Sequence, residues 1–157
     1  MPKKLLSAAF LLRILIGWHF LHEGISKILQ PGWTSQPYLL DSKGPIAAFY
    51  FWIAHNQSLT QIADLANIVL LISIGLLLII GLLEKPASIG AMVLLGFYYF
   101  SHPPFPGITY ALPPEGNYLF VDKNLIELAA AWLLYQLPTG QYLGLGKFIT
   151  RLKHPNK

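Results

Sequence analysis

The chain has 157 residues, 54% of them hydrophobic and only 11% charged, with a formal net charge of +4 and a mean hydropathy of +0.51. Soluble domains are about one quarter charged, so this composition excludes the secreted, disordered and fibrous classes and indicates a protein embedded in a membrane. At roughly 20 residues per span the length allows four or five crossings, and the lack of cysteine excludes disulfide exchange, thiolate metal ligation and cysteine-held iron–sulfur clusters.

The first apolar run, residues 5–29, follows Lys3 and Lys4. No small-residue cleavage site closes it and it runs past signal-peptide length, which predicts a first transmembrane helix. The connection 30–61 carries Trp33, Tyr38, Phe49, Tyr50, Phe51 and Trp52. Aromatic rings with polar tips collect at the membrane–water boundary, so this loop is expected on or in the interface, with a short helix between Gly44 and His55 begun by Pro45. Residues 62–83 form the clearest span, with Asp64 and Asn67 as its strongly polar interruptions. Glu84-Lys85-Pro86 then predicts a tight connection with Pro86 at the first helical position, where its missing N–H costs nothing.

The third span, 86–101, stops at His102-Pro103-Pro104, because successive prolines cannot continue a helix. The Pro-rich stretch up to Pro114 reads as a stiff connector, or as a lid. The fourth span, 121–137, stops at Pro138-Thr139-Gly140. After it, residues 141–157 place Tyr142, Leu145, Phe148, Ile149 and Leu152 at helical spacing among Lys147, Arg151 and Lys153. That pattern predicts a basic amphipathic helix on the membrane surface, weakened by Gly144 and Gly146. The expected fold is therefore all-α: one polytopic domain, 1–157, a bundle of four transmembrane helices with an aromatic outer loop between the first two.

Orientation follows from the basic residues. Lys3, Lys4, Lys85, Lys147, Arg151, Lys153 and Lys157 fall on one side; Lys27, Lys43 and Lys123 fall on the other, with Arg13 inside the first span. Both termini should face the cytoplasm. The basic residues are scattered in loops, not gathered on a soluble face, so nucleic acid is not an expected partner; the lipid bilayer is. Glu23, Asp41, Asp64, Glu115, Asp122 and Glu127 all then lie in the outer half with His19, His22, His55 and His102, while Glu84 alone is on the inner side.

On the first helix Arg13, Gly17, Phe20, Gly24 and Lys27 share a stripe, flanked by Glu23, with His22 pointing away. Two glycines in a polar stripe suit contact with other helices. Glu23 and Lys27, and Lys123 and Glu127, are four apart and predict ion pairs. Asp122 complements the dipole of the fourth helix. Ionisable groups at membrane depth raise a functional hypothesis, although each pair alone reads equally well as a structural salt bridge. A metal held by His19, Glu23, Asp64 and His102 is chemically feasible; the spacing does not favour a haem between His19 and His102, and no metal site is assigned. No phosphate loop, dinucleotide fingerprint or nucleophile–histidine–acid signature is present.

The stretch from Leu12 through Arg13, Gly17, His19, Phe20, Glu23, Gly24 and Lys27, followed by Pro31-Gly32-Trp33-Thr34-Ser35, Tyr38-Leu39 and Asp41-Ser42, resembles the opening of DoxX/DoxD-like membrane proteins. The run from Gly116 to Leu128, with Lys123-Asn124-Leu125-Ile126-Glu127 at its centre, resembles the start of their last helix. The resemblance covers essentially the whole chain and implies a four-helix integral membrane protein. One branch of that family is a subunit of a thiosulfate:quinone oxidoreductase, which implies a quinone in the polar layer. His19, Glu23 and Glu127 would then be the proton-handling residues, and Arg13, Lys27, Asp122, Lys123 and Asn124 would hold the head group. Electrons would come from a second redox subunit, since the chain itself has no recognisable donor site. Together with the lack of a targeting peptide, the resemblance implies the bacterial inner membrane. A non-catalytic scaffold docking a partner through its aromatic loop is the alternative, a small transporter a weaker one, and a homo-oligomer is compatible with each.

Overall fold

The computed structural model of the chain describes residues 2–113 and 116–147. These form six helices: α1 (Lys3–Leu29), α2 (Gln36–Leu40), α3 (Ala47–Ala54), α4 (Gln57–Ile80), α5 (Glu84–Ser101) and α6 (Lys123–Gln136). Among the described residues there is no strand, only an isolated bridge between Tyr118 and Val121. The all-helical expectation holds. Most of the tail 141–157 lies outside the described residues; 141–145 form turns and bends, and 146–147 are helical.

The four long helices pack together, α1 on α4, α4 on α5, α5 on α6 and α6 back on α1. Ile16 and Phe20 from α1, Leu71, Ile74 and Leu78 from α4, Ala91 and Leu95 from α5, and Ala131 and Leu134 from α6 form the core. The stripe read from the sequence faces inward: Arg13, Gly17, Phe20 and Gly24 are buried and His22 is exposed. The glycines do the expected work, since a Cβ on Gly17 or Gly24 would lie 3.0 or 2.6 Å from α4 atoms.

Two helices, α1 and α4, are long and apolar enough to cross a membrane, and only 28% and 22% of their most apolar stretches are buried within the protein. A core helix of a soluble protein would bury most of that surface, so the outward Leu15, Trp18, Leu65 and Val69 require an apolar surrounding.

Boundaries shift where capping overrides apolarity. Helix α4 begins five residues before the apolar run because the Asn56 side chain accepts a hydrogen bond from the Leu59 N–H at 3.1 Å. It ends at Gly81, whose left-handed conformation (φ +67°) lets the Leu82 N–H reach the Leu77 carbonyl. The α4–α5 turn is therefore 81–83 and not Glu84-Lys85-Pro86. Pro86 is the third residue of α5, still within the first turn, where its missing N–H has no helical partner to lose. The short helix within 44–55 is found as α3; α2 was not expected.

At the end of the molecule carrying the α4–α5 turn, one buried cluster ties all four long helices. Arg13 is completely buried; its Nη1 donates to Thr139 Oγ1 at 2.8 Å and its Nη2 to the Leu143 carbonyl at 2.7 Å. Glu84 lies 3.6 Å from the guanidinium and accepts from the Gly140 N–H at 2.6 Å. Behind α6, residues 138–146 wrap this cluster and return hydrogen bonds to Ile80 and Gly81.

Candidate functional site: a polar chamber at the α2–α3 end

At the opposite end, a cavity of about 360 Å³ lies between α1, α2, α4, α5 and the start of α6. Glu23 and Lys27 from α1, Trp33 and Tyr38 from the loop and α2, Asn67 from α4, Tyr98 from α5 and Asn124 from α6 line it. A smaller cavity of about 40 Å³ adjoins it, sharing Glu23, Tyr98 and Asn124 and adding His19 and Lys123. The volume of the main chamber is within the usual small-molecule range of roughly 300–1,000 Å³.

The expected ion pair on α1 forms: Lys27 Nζ donates to Glu23 Oε2 at 2.9 Å and sits 5.4 Å over the Trp33 ring. From α1, His19 approaches both residues of the expected Lys123–Glu127 pair. His19 Nδ1 lies 2.8 Å from Glu127 Oε1, and His19 Nε2 lies 3.4 Å from Lys123 Nζ. Lysine offers only donors, so Nε2 accepts and the imidazole proton sits on Nδ1, facing Glu127. That contact is off the hydrogen-bond line, and Glu127 Oε2 is buried without a partner.

Three predicted residues line neither cavity: Glu127, which is reached only through His19, Arg13 and Asp122. Arg13 was grouped with the outer layer, but Glu84, Thr139 and the Leu143 carbonyl hold it at the far end; a shared helical stripe does not imply a shared depth. Asp122 spends both oxygens locally, Oδ1 capping α6 through the Leu125 N–H at 2.8 Å and Oδ2 accepting from Asn124 Nδ2 at 2.9 Å. It positions Asn124 and does not line the cavity. The metal set suggested by spacing is also dispersed, since Asp64 accepts from the Ser35 N–H at 2.8 Å and His102 faces Asp41. Among the described residues no cluster of three or more metal-ligating side chains occurs.

The sequence reading overlooked Tyr98. A tyrosine in an otherwise apolar helix must satisfy its hydroxyl, which was the available signal; here it accepts from Asn67 Nδ2 at 2.6 Å. The Asn67 carbonyl oxygen is left buried with no partner. Trp33, Ser35 and Tyr38 were legible as parts of the aromatic loop and of the family-like opening stretch, not as chamber lining.

Residues 103–113 fold back over the chamber, and Leu112 forms part of its wall. The Leu112 N–H donates to Asp41 Oδ2 at 3.0 Å, Lys43 donates to the Thr109 carbonyl, and His102 stacks between Tyr38 (4.1 Å) and Tyr110 (4.6 Å). Burial lowers the His102 pKa, against the opposing pull of Asp41 and with help from Lys43. Burial alone would raise the Asp41 carboxyl, but the Leu112 and Ala111 N–H groups, with His102 and Lys43, bring it below its ordinary value. Both groups therefore favour the folded form when deprotonated.

The His102 contribution is complete above its unfolded value of about 6.5 and is lost as pH falls from there towards its lower folded value. The Asp41 contribution goes only in stronger acid. Hydrogen exchange at 108–112, corrected for intrinsic rates, should accelerate on acidification between about pH 7 and 5. A His102→Phe variant keeps the ring stack and should remove that response; an unchanged pH profile in the variant would refute the assignment.

The helices and their site thus define an all-helical membrane protein with a polar, aromatic-walled chamber near one end. The sequence model of the DoxX family matches residues 8–103, and the chain belongs to the DoxX family. The match spans α1 to α5 and so includes every chamber residue except Leu112 and the α6 contribution. No curated protein and no solved structure matches the chain.

Proposed function

We propose that all four long helices span the bacterial inner membrane, both termini inside, and that the chamber binds a quinone as part of a redox complex. The short α6 places a demand on this topology. Its 14 residues rise roughly 21 Å, less than the hydrocarbon thickness of about 30 Å. Residues 138–146 follow as irregular chain: Thr139 and Gly140 are buried, the Leu145 and Gly146 N–H groups bond the Ile80 and Gly81 carbonyls, and Tyr142, Leu143 and Leu145 are exposed, as suits the membrane boundary.

The observation that carries the ligand assignment is the chamber's composition. Trp33 and Tyr38 offer ring faces, Lys27 offers a charged donor, and the partnerless Asn67 oxygen offers an acceptor. A flat ring bearing oxygens that are carbonyls when oxidised and hydroxyls when reduced fits that set. When bound, a quinone supplies two-electron, two-proton carrier chemistry. This chain's residues supply position and protons: Lys27 and Asn67 orient the ring oxygens, Glu23 is the carboxylate nearest them, and the His19–Glu127 pair, with Lys123 beside it, stands behind as a proton store. The electrons would enter from a second subunit.

Titrating the purified protein with a chain-less benzoquinone and following tryptophan fluorescence tests this, because Trp33 is in the wall. Saturable quenching is expected, lost in Trp33→Phe. Removing a hydrogen bond to a charged group costs about 1.5–3 kcal/mol, so Lys27→Met should weaken binding roughly 10- to 100-fold. Non-saturable quenching, or equal affinity in Lys27→Met and Asn67→Leu, would sink the quinone reading and leave the scaffold reading, with the exposed Phe49 and Trp52 of α3 as its docking face.

A further inference from the structure

A second cavity, of about 260 Å³, lies on the other side of the Tyr38–Asn67–Tyr98 wall, between α3, α4 and α5. Its character is opposite to that of the chamber: apart from the wall residues it is lined by hydrocarbon and aromatic side chains. Ala63 and Ala66 lie along its α4 side, where small side chains leave the space. Phe49, Leu70 and Phe97 also line it, and at 46%, 44% and 45% exposure they open it to the flank of the helix bundle.

The wall between the two spaces consists of side chains. Asn67 Nδ2 donates to the Tyr98 hydroxyl, and the Tyr38 hydroxyl donates to the Tyr98 carbonyl at 3.3 Å. Ser35, Tyr38, Asn67 and Tyr98 face both spaces. Elsewhere the chamber's rim carries Gln30, Thr34 and Lys27, which an apolar chain would leave unsatisfied. For a molecule with a polar ring in the chamber and a hydrocarbon chain, an apolar space therefore lies directly behind the side-chain wall, which must part for the chain to pass sideways.

We infer that the α3–α4–α5 groove seats the apolar chain of the chamber's ligand, which enters laterally from the bilayer past Phe49, Leu70 and Phe97. The inference rests on the quinone reading of the chamber and adds a subsite for the chain. The four lining residues common to both spaces favour this occupant over a bilayer acyl chain, which would need no proximity to a polar chamber.

Crosslinking in phosphatidylcholine vesicles tests it, with a benzoquinone carrying a diazirine on the first unit of its prenyl chain. Label is expected in the peptides containing residues 63–70 and 94–98. An excess of chain-less benzoquinone should displace it by occupying the chamber, and Ala66→Phe and Ala63→Phe should abolish it by filling the groove. Ala8→Phe, the same change on an exposed face of α1, should leave the labelling intact. Both groove variants should still bind chain-less benzoquinone as the wild type does, which shows that they fold. Groove labelling that survives the chain-less competitor would identify an ordinary acyl-chain site and overturn the inference. So would labelling unchanged in both groove variants. Failure of the chain-less compound to bind the wild type would instead overturn the chamber reading on which the subsite depends.

Discussion

Glu84→Ala should destabilise the protein by about 3–5 kcal/mol, the usual loss when one partner of a buried ion pair is removed, and lower Tm in detergent by roughly 10 °C. The reason is what remains behind. Arg13 would stay fully buried with only Thr139 and the Leu143 carbonyl as partners, neither carrying a compensating charge. The Gly140 N–H would lose its acceptor as well. Because this cluster joins α1, the α4–α5 turn, α5 and the chain after α6, its loss should loosen the whole end and not one helix. Glu84→Gln keeps an acceptor for Gly140 and should cost less. Replacing both charges, Arg13→Leu with Glu84→Leu, should recover part of the single-variant loss, because no unpaired charge is then buried. A double variant less stable than Glu84→Ala would show that hydrogen bonds, and not charge burial, dominate there.

The second large effect is expected where α1 crosses α4. A Cβ on Gly75 would lie 2.6 Å from the Leu21 backbone nitrogen and 2.8 Å from the Gly17 carbonyl oxygen, both backbone atoms of α1 that cannot rotate aside. Overpacking of this kind costs about 1–3 kcal/mol where side chains can absorb it, and backbone contact places Gly75→Leu at or above that range. The same displacement would carry His19 and Glu23 away from α6 and the chamber, so quinone quenching should weaken along with stability. Gly96→Ala on α5 is the contrasting case, since its Cβ would meet only Leu128 Cδ1 at 4.0 Å. There the helix-propensity gain of about 0.5–1 kcal/mol should appear as a slightly raised Tm. Thermal melts of both variants check the pair; a neutral Gly75→Leu would mean that the two helices are not in backbone contact.

By itself the sequence determined the helical class, the membrane setting and the family, because these rest on local quantities. Apolar runs reveal helices that cannot be solvated, and the Arg13–Gly17–Phe20–Gly24 stripe identifies the face of α1 that meets other helices. The span topology read from the sequence put His19, Glu23, Lys27, Asn67 and Glu127 toward one end, and in the structure the first four line adjoining cavities, with Glu127 against His19. Sequence pattern could not supply depth or partners. Arg13 shares the stripe with Lys27 yet lies at the far end, because its partner Glu84 comes from a helix some seventy residues away in the chain. The i to i+4 rule reads Lys123 and Glu127 within α6 alone, whereas packing of α1 against α6 brings His19 to both. Asp122 looked like a ligand-binding acid until the cap and Asn124 used its oxygens. The chamber exists only where five helices meet, and the groove behind Tyr98 only where α3, α4 and α5 do. Spaces of that kind depend on how side chains from distant segments fail to fill a volume, and tertiary packing alone decides that.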